Sequence, residues 1–68
     1  MTSEEFILEK LLERRDWHLN MLKNLEFELV MEPTEKESED IEKLRIDTID
    51  ELKKIEQEIA FISSKSST

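Results

Sequence analysis

Apolar residues recur along the first half of the chain at intervals of three and four. At about 100° per residue, Ile7, Leu8, Leu11, Leu12, Leu19, Leu22, Leu25, Leu29 and Val30 fall on one broad face. This is the pattern of an amphipathic helix packed against a neighbour, and it predicts a helix from about residue 3 to residue 31. Thr2 with Glu5 forms a capping box at its start, the hydroxyl accepting from an orphan amide while the carboxylate reaches back. Ser3 is the alternative cap.

The pattern breaks at Pro33, which lacks an amide donor and pushes Glu32 away from helical geometry. A turn is expected over 32–34. Thr34 with Glu37 makes a second capping box, starting a helix from about 35 to 62. In it Ile41, Leu44, Thr48, Leu52, Ile55, Ile59 and Ile62 form a narrow stripe, with Glu39/Lys43 and Asp50/Lys54 as i,i+4 pairs on the solvated faces. The serine-rich end, 63–68, is expected to be a disordered polar tail. Two helices of about 28 residues, ~42 Å each at 1.5 Å per residue, joined so tightly, must run antiparallel. The fold class is therefore all-α: a single domain over 1–62, an antiparallel two-helix hairpin resembling a coiled coil. With the turn centred near Pro33, the expected register sets Leu8 by Ile59, Leu11 by Ile55, Leu25 by Ile41, Arg15 by Glu51 and His18 by Thr48. A single continuous helix is the rival architecture, opposed by the ~3 kcal/mol that a proline costs in a helix interior.

Composition removes other folds and most chemistry. The 68 residues contain no glycine and no cysteine, so phosphate-cradling loops, oxyanion nests, disulfide staples and thiolate metal sites have no foothold. Eighteen acidic against ten basic residues leave a net charge of −8, which repels phosphate backbones and anionic lipid headgroups. Neither nucleic acid nor a membrane surface is an expected partner. The acidic start and the lack of any long apolar run predict a soluble, cytoplasmic chain.

A hairpin of this size has one seam and a thin core, and such a fold gains from company. The first helix supplies a surface for it. Phe6, Trp17, Met21, Phe27 and Met31 lie away from the leucine face, and Trp17, Asn24 and Met31 fall seven apart with Asn20 and Phe27 between them. That is the spacing of a second, partly polar coiled-coil seam. The expected partner interface is thus Phe6, Trp17, Met21, Asn24, Phe27 and Met31, completed by a homodimer in a four-helix bundle or by a helix of another protein. The second helix adds Ile46, Ile49 and Ala60 off its stripe. A rival reading has Trp17 and Phe27 merely wrapping around the edge of the hairpin.

Catalytic candidates are thin. His18 is the sole histidine, and the di-metal Glu-x-x-His arrangement fails because Arg15 and His18 occupy the spacing. Both fall on the leucine face, as a polar layer that fixes register. Glu9, Glu13 and Asp16 share a helical surface, but nothing beside them in sequence would perturb their acidity, so a solvated face is expected. No catalytic residue, cofactor or metal site is assigned, and the chain is not expected to be an enzyme. Glu32, Glu35, Glu37, Glu39 and Asp40 crowd the hairpin tip, where acids complement the dipole of the second helix.

The leading expectation is a non-enzymatic interaction module: an adaptor, co-chaperone or regulatory subunit. The alternative is an acidic inhibitor of phage or plasmid type, blocking a basic or nucleic-acid-binding site through the tip. In length, acidity and two-helix form the chain resembles the small co-chaperones of type III secretion needle subunits, and also the hairpin regulators of plasmid copy number. The second resemblance implies RNA binding, against which the negative charge argues.

Overall fold

The computed structural model describes residues 2–66. Helix α1 spans Ser3–Val30 and helix α2 spans Glu35–Ser66. They pack against each other along their length in a rod of 50 × 17 × 13 Å. The all-α hairpin is the observed architecture; the chain does not continue as one helix through Pro33.

Local chemistry sets the helix ends. Thr2, with extended backbone, accepts the Glu5 N–H on its hydroxyl at 3.1 Å, and its carbonyl accepts the Phe6 N–H at 3.0 Å. Glu4 and Glu5 in the first turn face the positive end of the helix dipole. At the other end Met31 leaves the helix while its N–H still reaches the Glu28 carbonyl at 3.2 Å. Glu32 then adopts φ 53°, a left-handed conformation that glycine usually takes at a helix C-terminus. The chain has no glycine, so a glutamate carries that strain. Pro33 follows, and the capping box of α2 is complete: Thr34 N–H donates to Glu37 Oε1 at 3.0 Å, while Glu37 N–H donates to Thr34 Oγ1 at 3.2 Å.

The interhelical seam follows a strict four-three alternation. On α1 it runs through Leu8, Leu11, Arg15, His18, Leu22, Leu25 and Leu29; on α2 through Ile41, Arg45, Thr48, Leu52, Ile55, Ile59 and Ile62. Leu11, Leu25, Thr48 and Ile55 are buried and the others half-buried. This 3.5-residue repeat keeps one line of side chains facing the partner helix.

Four expectations need correction. Leu44 is off the seam: it is 45% exposed, whereas the Arg45 side chain is 33% exposed. Arginine's aliphatic stem covers the apolar line while its Nε reaches Glu42 at 3.2 Å. Ile7, Leu19 and Val30 are exposed, because one neighbouring helix covers a narrower strip than the broad apolar face.

The ion pair across the seam also differs from expectation. Arg15 Nη1 lies 3.6 Å from Glu56 Oε1, beyond the expected Glu51, and Lys65 shares a surface cavity with Thr2, Glu5 and Leu8. Side chains lean toward the N-terminus of their own helix, so across an antiparallel pair the Arg15 and Glu56 side chains lean toward each other and meet off the level of their backbones. Finally, α2 continues to Ser66, so residues 63–66 of the expected tail are helical; residues 67–68 lie outside the described range. Ile59 and Ile62 hold this last turn on the seam, and Lys65 complements the helix C-terminus. Its Nζ also sits 5.9 Å from the Phe61 ring centroid.

Candidate partner interface

On the side of α1 opposite the seam the same four-three spacing recurs, through Phe6, Lys10, Glu13, Trp17, Asn20, Asn24 and Phe27, and continues to Met31 at the C-cap. The large members of this line are open to solvent, at 52% for Phe6, 60% for Trp17, 64% for Phe27 and 66% for Met31. Asn24 is exposed as well, whereas Met21 is half-buried on the flank of the hairpin seam. Five of the six expected interface residues thus share the outer face, and Met21 borders it.

Contacts within α1 hold parts of this face in place. The Trp17 and His18 rings meet edge to face, centroids 4.9 Å apart and planes 75° apart. His18 Nδ1 lies 2.7 Å from the Arg14 carbonyl; only a protonated Nδ1 can donate to that acceptor. The imidazole is therefore tied to its own helix and backs the indole. Lys10 Nζ sits 5.5 Å from the Phe6 centroid and 3.5 Å from Glu13 Oε2.

His18 and Arg15 form the polar stretch expected in the seam. Arg15 Nε is buried without a hydrogen bond, an Asp16 carboxylate oxygen standing 3.9 Å away. This layer gains no compensating hydrogen bond at that atom, a cost of roughly 1–3 kcal/mol for a buried donor.

One exposed aromatic was not foreseen. Phe61 is 68% exposed and borders a shallow concavity with Lys54, Gln57, Glu58 and Ile62. The signal was present in the apolar stretch Ile59-Ala60-Phe61-Ile62: Ile59 and Ile62 belong to the seam, which leaves Phe61 pointing outward. Ile46 is likewise exposed.

The charged surface is mostly solvated. Glu9, Glu13 and Asp16 are exposed, and among the described residues no three histidine or acidic side chains converge on a possible metal position. Glu37 is the exception electrostatically. The Thr34 backbone amide, and secondarily the Thr34 side chain, hold its carboxyl below the ordinary value of 4.5. Three charge pairs within the helices fall at i,i+3, Lys10 with Glu13, Arg45 with Glu42, and Lys54 with Glu51 at 3.5 Å, where Asp50 was expected. Among the described residues no helix is long and apolar enough to cross a membrane.

No protein-family model, no curated protein and no solved structure matches this chain.

Proposed function

We propose that this chain is a non-enzymatic protein–protein interaction module, an adaptor or regulatory subunit that works in a soluble, intracellular setting. It binds itself or a helical partner through the outer face of α1. The observation that carries this reading is the line of Phe6, Trp17, Phe27 and Met31, exposed at seam spacing on the side away from α2. Aromatic and methionine side chains anchor interfaces, and tryptophan is among their commonest hot spots. A ligand-binding cleft is not what supports the reading; a second coiled-coil line is.

The test pairs two substitutions. Trp17→Glu is expected to abolish association, read as mass in solution and as binding to any captured partner, while the far-UV circular dichroism stays helical. Leu25→Glu buries an unpaired carboxylate in the hairpin seam and is expected to unfold the chain. Unchanged association in Trp17→Glu would sink the proposal.

A second reading, an acidic inhibitor, draws on the exposed carboxylates of Glu32, Glu35, Glu39 and Asp40 at the tip. It requires binding that weakens steeply as salt rises, because exposed charges are screened within about 8 Å at physiological ionic strength. An apolar seam requires no such loss.

A further inference from the structure

We infer that the occupant of the outer face of α1 is a second copy of this chain, laid antiparallel across a two-fold axis. This deepens the proposed function and rests on it. The eight positions of the outer line pair completely with themselves in one antiparallel register. Phe6 then meets Met31 of the second copy, Lys10 meets Phe27, Glu13 meets Asn24 and Trp17 meets Asn20, each layer joining the two alternating positions of the repeat as antiparallel coiled coils do. A cation meets an aromatic ring, a carboxylate meets an amide, and the indole N–H meets an amide oxygen. The parallel alignment would instead stack Lys10 on Lys10 and Glu13 on Glu13, two like-charge layers.

Charge also separates a second copy from a basic partner. The chain carries −8, yet this line holds one cation, Lys10, and one anion, Glu13, and is itself neutral. A basic helix would be matched by an acidic strip, and this line offers Glu13 alone. On the flank, the antiparallel register brings Asp16 level with Lys23 of the second copy.

The area suffices. Exposed by half to two thirds, three aromatic side chains and a methionine of roughly 150–250 Å² each leave about 500 Å² per copy. Two copies cover about 1,000 Å² before the stems of Lys10, Glu13, Asn20 and Asn24 are added, which reaches the lower bound of a specific interface. Because the line lies opposite the hairpin seam, the product is a flat layer in the order α2, α1, α1, α2 rather than a compact four-helix bundle.

The experiment uses the full chain. Trp17 is the sole tryptophan, so its emission reports burial without a label, and the absence of cysteine permits one clean spin label in Ser3→Cys. Sedimentation equilibrium across a concentration series is expected to show a monomer passing to a dimer, with Trp17 emission shifting to the blue in step. Pulsed electron paramagnetic resonance is expected to give one distance of about 45 Å, from some thirty residues at 1.5 Å each.

A distance near 15 Å would mean parallel pairing and overturn the inference. A dimer whose mass survives Trp17→Glu would place self-association elsewhere and overturn it too. A monomer up to millimolar concentration would also overturn it; the broader interaction reading would still stand if such a monomer bound another protein in a Trp17-dependent way.

Discussion

Thr48 offers a test of the hairpin seam in which the expected change is a gain. Among the described residues it is the one polar residue that is buried, at 5% exposure, and its hydroxyl donates to the Leu44 carbonyl of its own helix at 2.7 Å. Thr48→Val keeps the shape and replaces the hydroxyl with a methyl. The Leu44 carbonyl keeps its place in the helical ladder, so no acceptor is orphaned. A threonine hydroxyl that bonds back to the i−4 carbonyl slightly destabilises its helix, and a buried methyl contributes about 0.8 kcal/mol. Valine removes the first and adds the second, so the variant should be more stable by about 1 kcal/mol. For a domain of this size that is a rise in Tm of about 4–8 °C.

Thr48→Ser makes the opposite change, keeping the hydroxyl and deleting a buried methyl, and should lose about 1 kcal/mol. Thermal melts by circular dichroism at one fixed protein concentration would measure both. A Thr48→Val protein that melts lower than wild type would refute the reasoning. It would mean that the hydroxyl bonds across to α1 and that the seam depends on it.

Acid should weaken the start of α2. The folded-state pKa of Glu37 is depressed by the Thr34 N–H, so its contribution is present above the ordinary value of 4.5 and fades as pH falls through the lower folded value. Glu37→Gln should therefore lower Tm near neutrality and converge with wild type near pH 2; an equal deficit at both pH values would contradict this. Glu32→Gly should raise stability by about 0.5–1 kcal/mol, because it removes a left-handed penalty of roughly 1–2 kcal/mol at φ 53° while loosening the unfolded chain. Urea titration would detect it, and a loss of stability would show that the Glu32 side chain matters more than its backbone. Arg15→Met should be neutral or stabilising in the same assay, since it keeps the packing of the stem and removes the unpartnered Nε. A clear loss would mean that the Glu56 ion pair outweighs that burden.

Features governed by neighbouring residues were legible in the sequence. Pro33, Thr34 and Glu37 stop one helix and start the next through contacts spanning three residues, and the capping box forms as its spacing implies. The polar layer of Arg15 and His18 was legible as well, because a four-three count reaches it without reference to hydropathy. Leu44 shows where hydropathy misleads. It is the more apolar of two adjacent residues, but the seam keeps its period and selects Arg45, whose stem is apolar enough to serve. The partner of Arg15 was beyond local reading, because it depends on how far two long side chains reach across the seam; the left-handed turn residue was hidden as well, since no glycine announces Glu32. Ser63 to Ser66 read as a tail on propensity alone, but anchoring by Ile59 and Ile62 overrides a weak local preference.

The outer face follows the same logic one level up. Its spacing could be counted in the sequence, whereas its exposure depends on which face α2 covers. Once α2 occupies the line through Leu11 and Leu25, the second line through Trp17 and Phe27 faces no other helix among the described residues. An apolar line at seam spacing, neutral within an acidic protein, is matched better by its own reversed copy than by a surface of opposite charge. That is why the direction of pairing discriminates more sharply than the fact of association: only antiparallel pairing follows from the particular placement of Lys10 and Glu13.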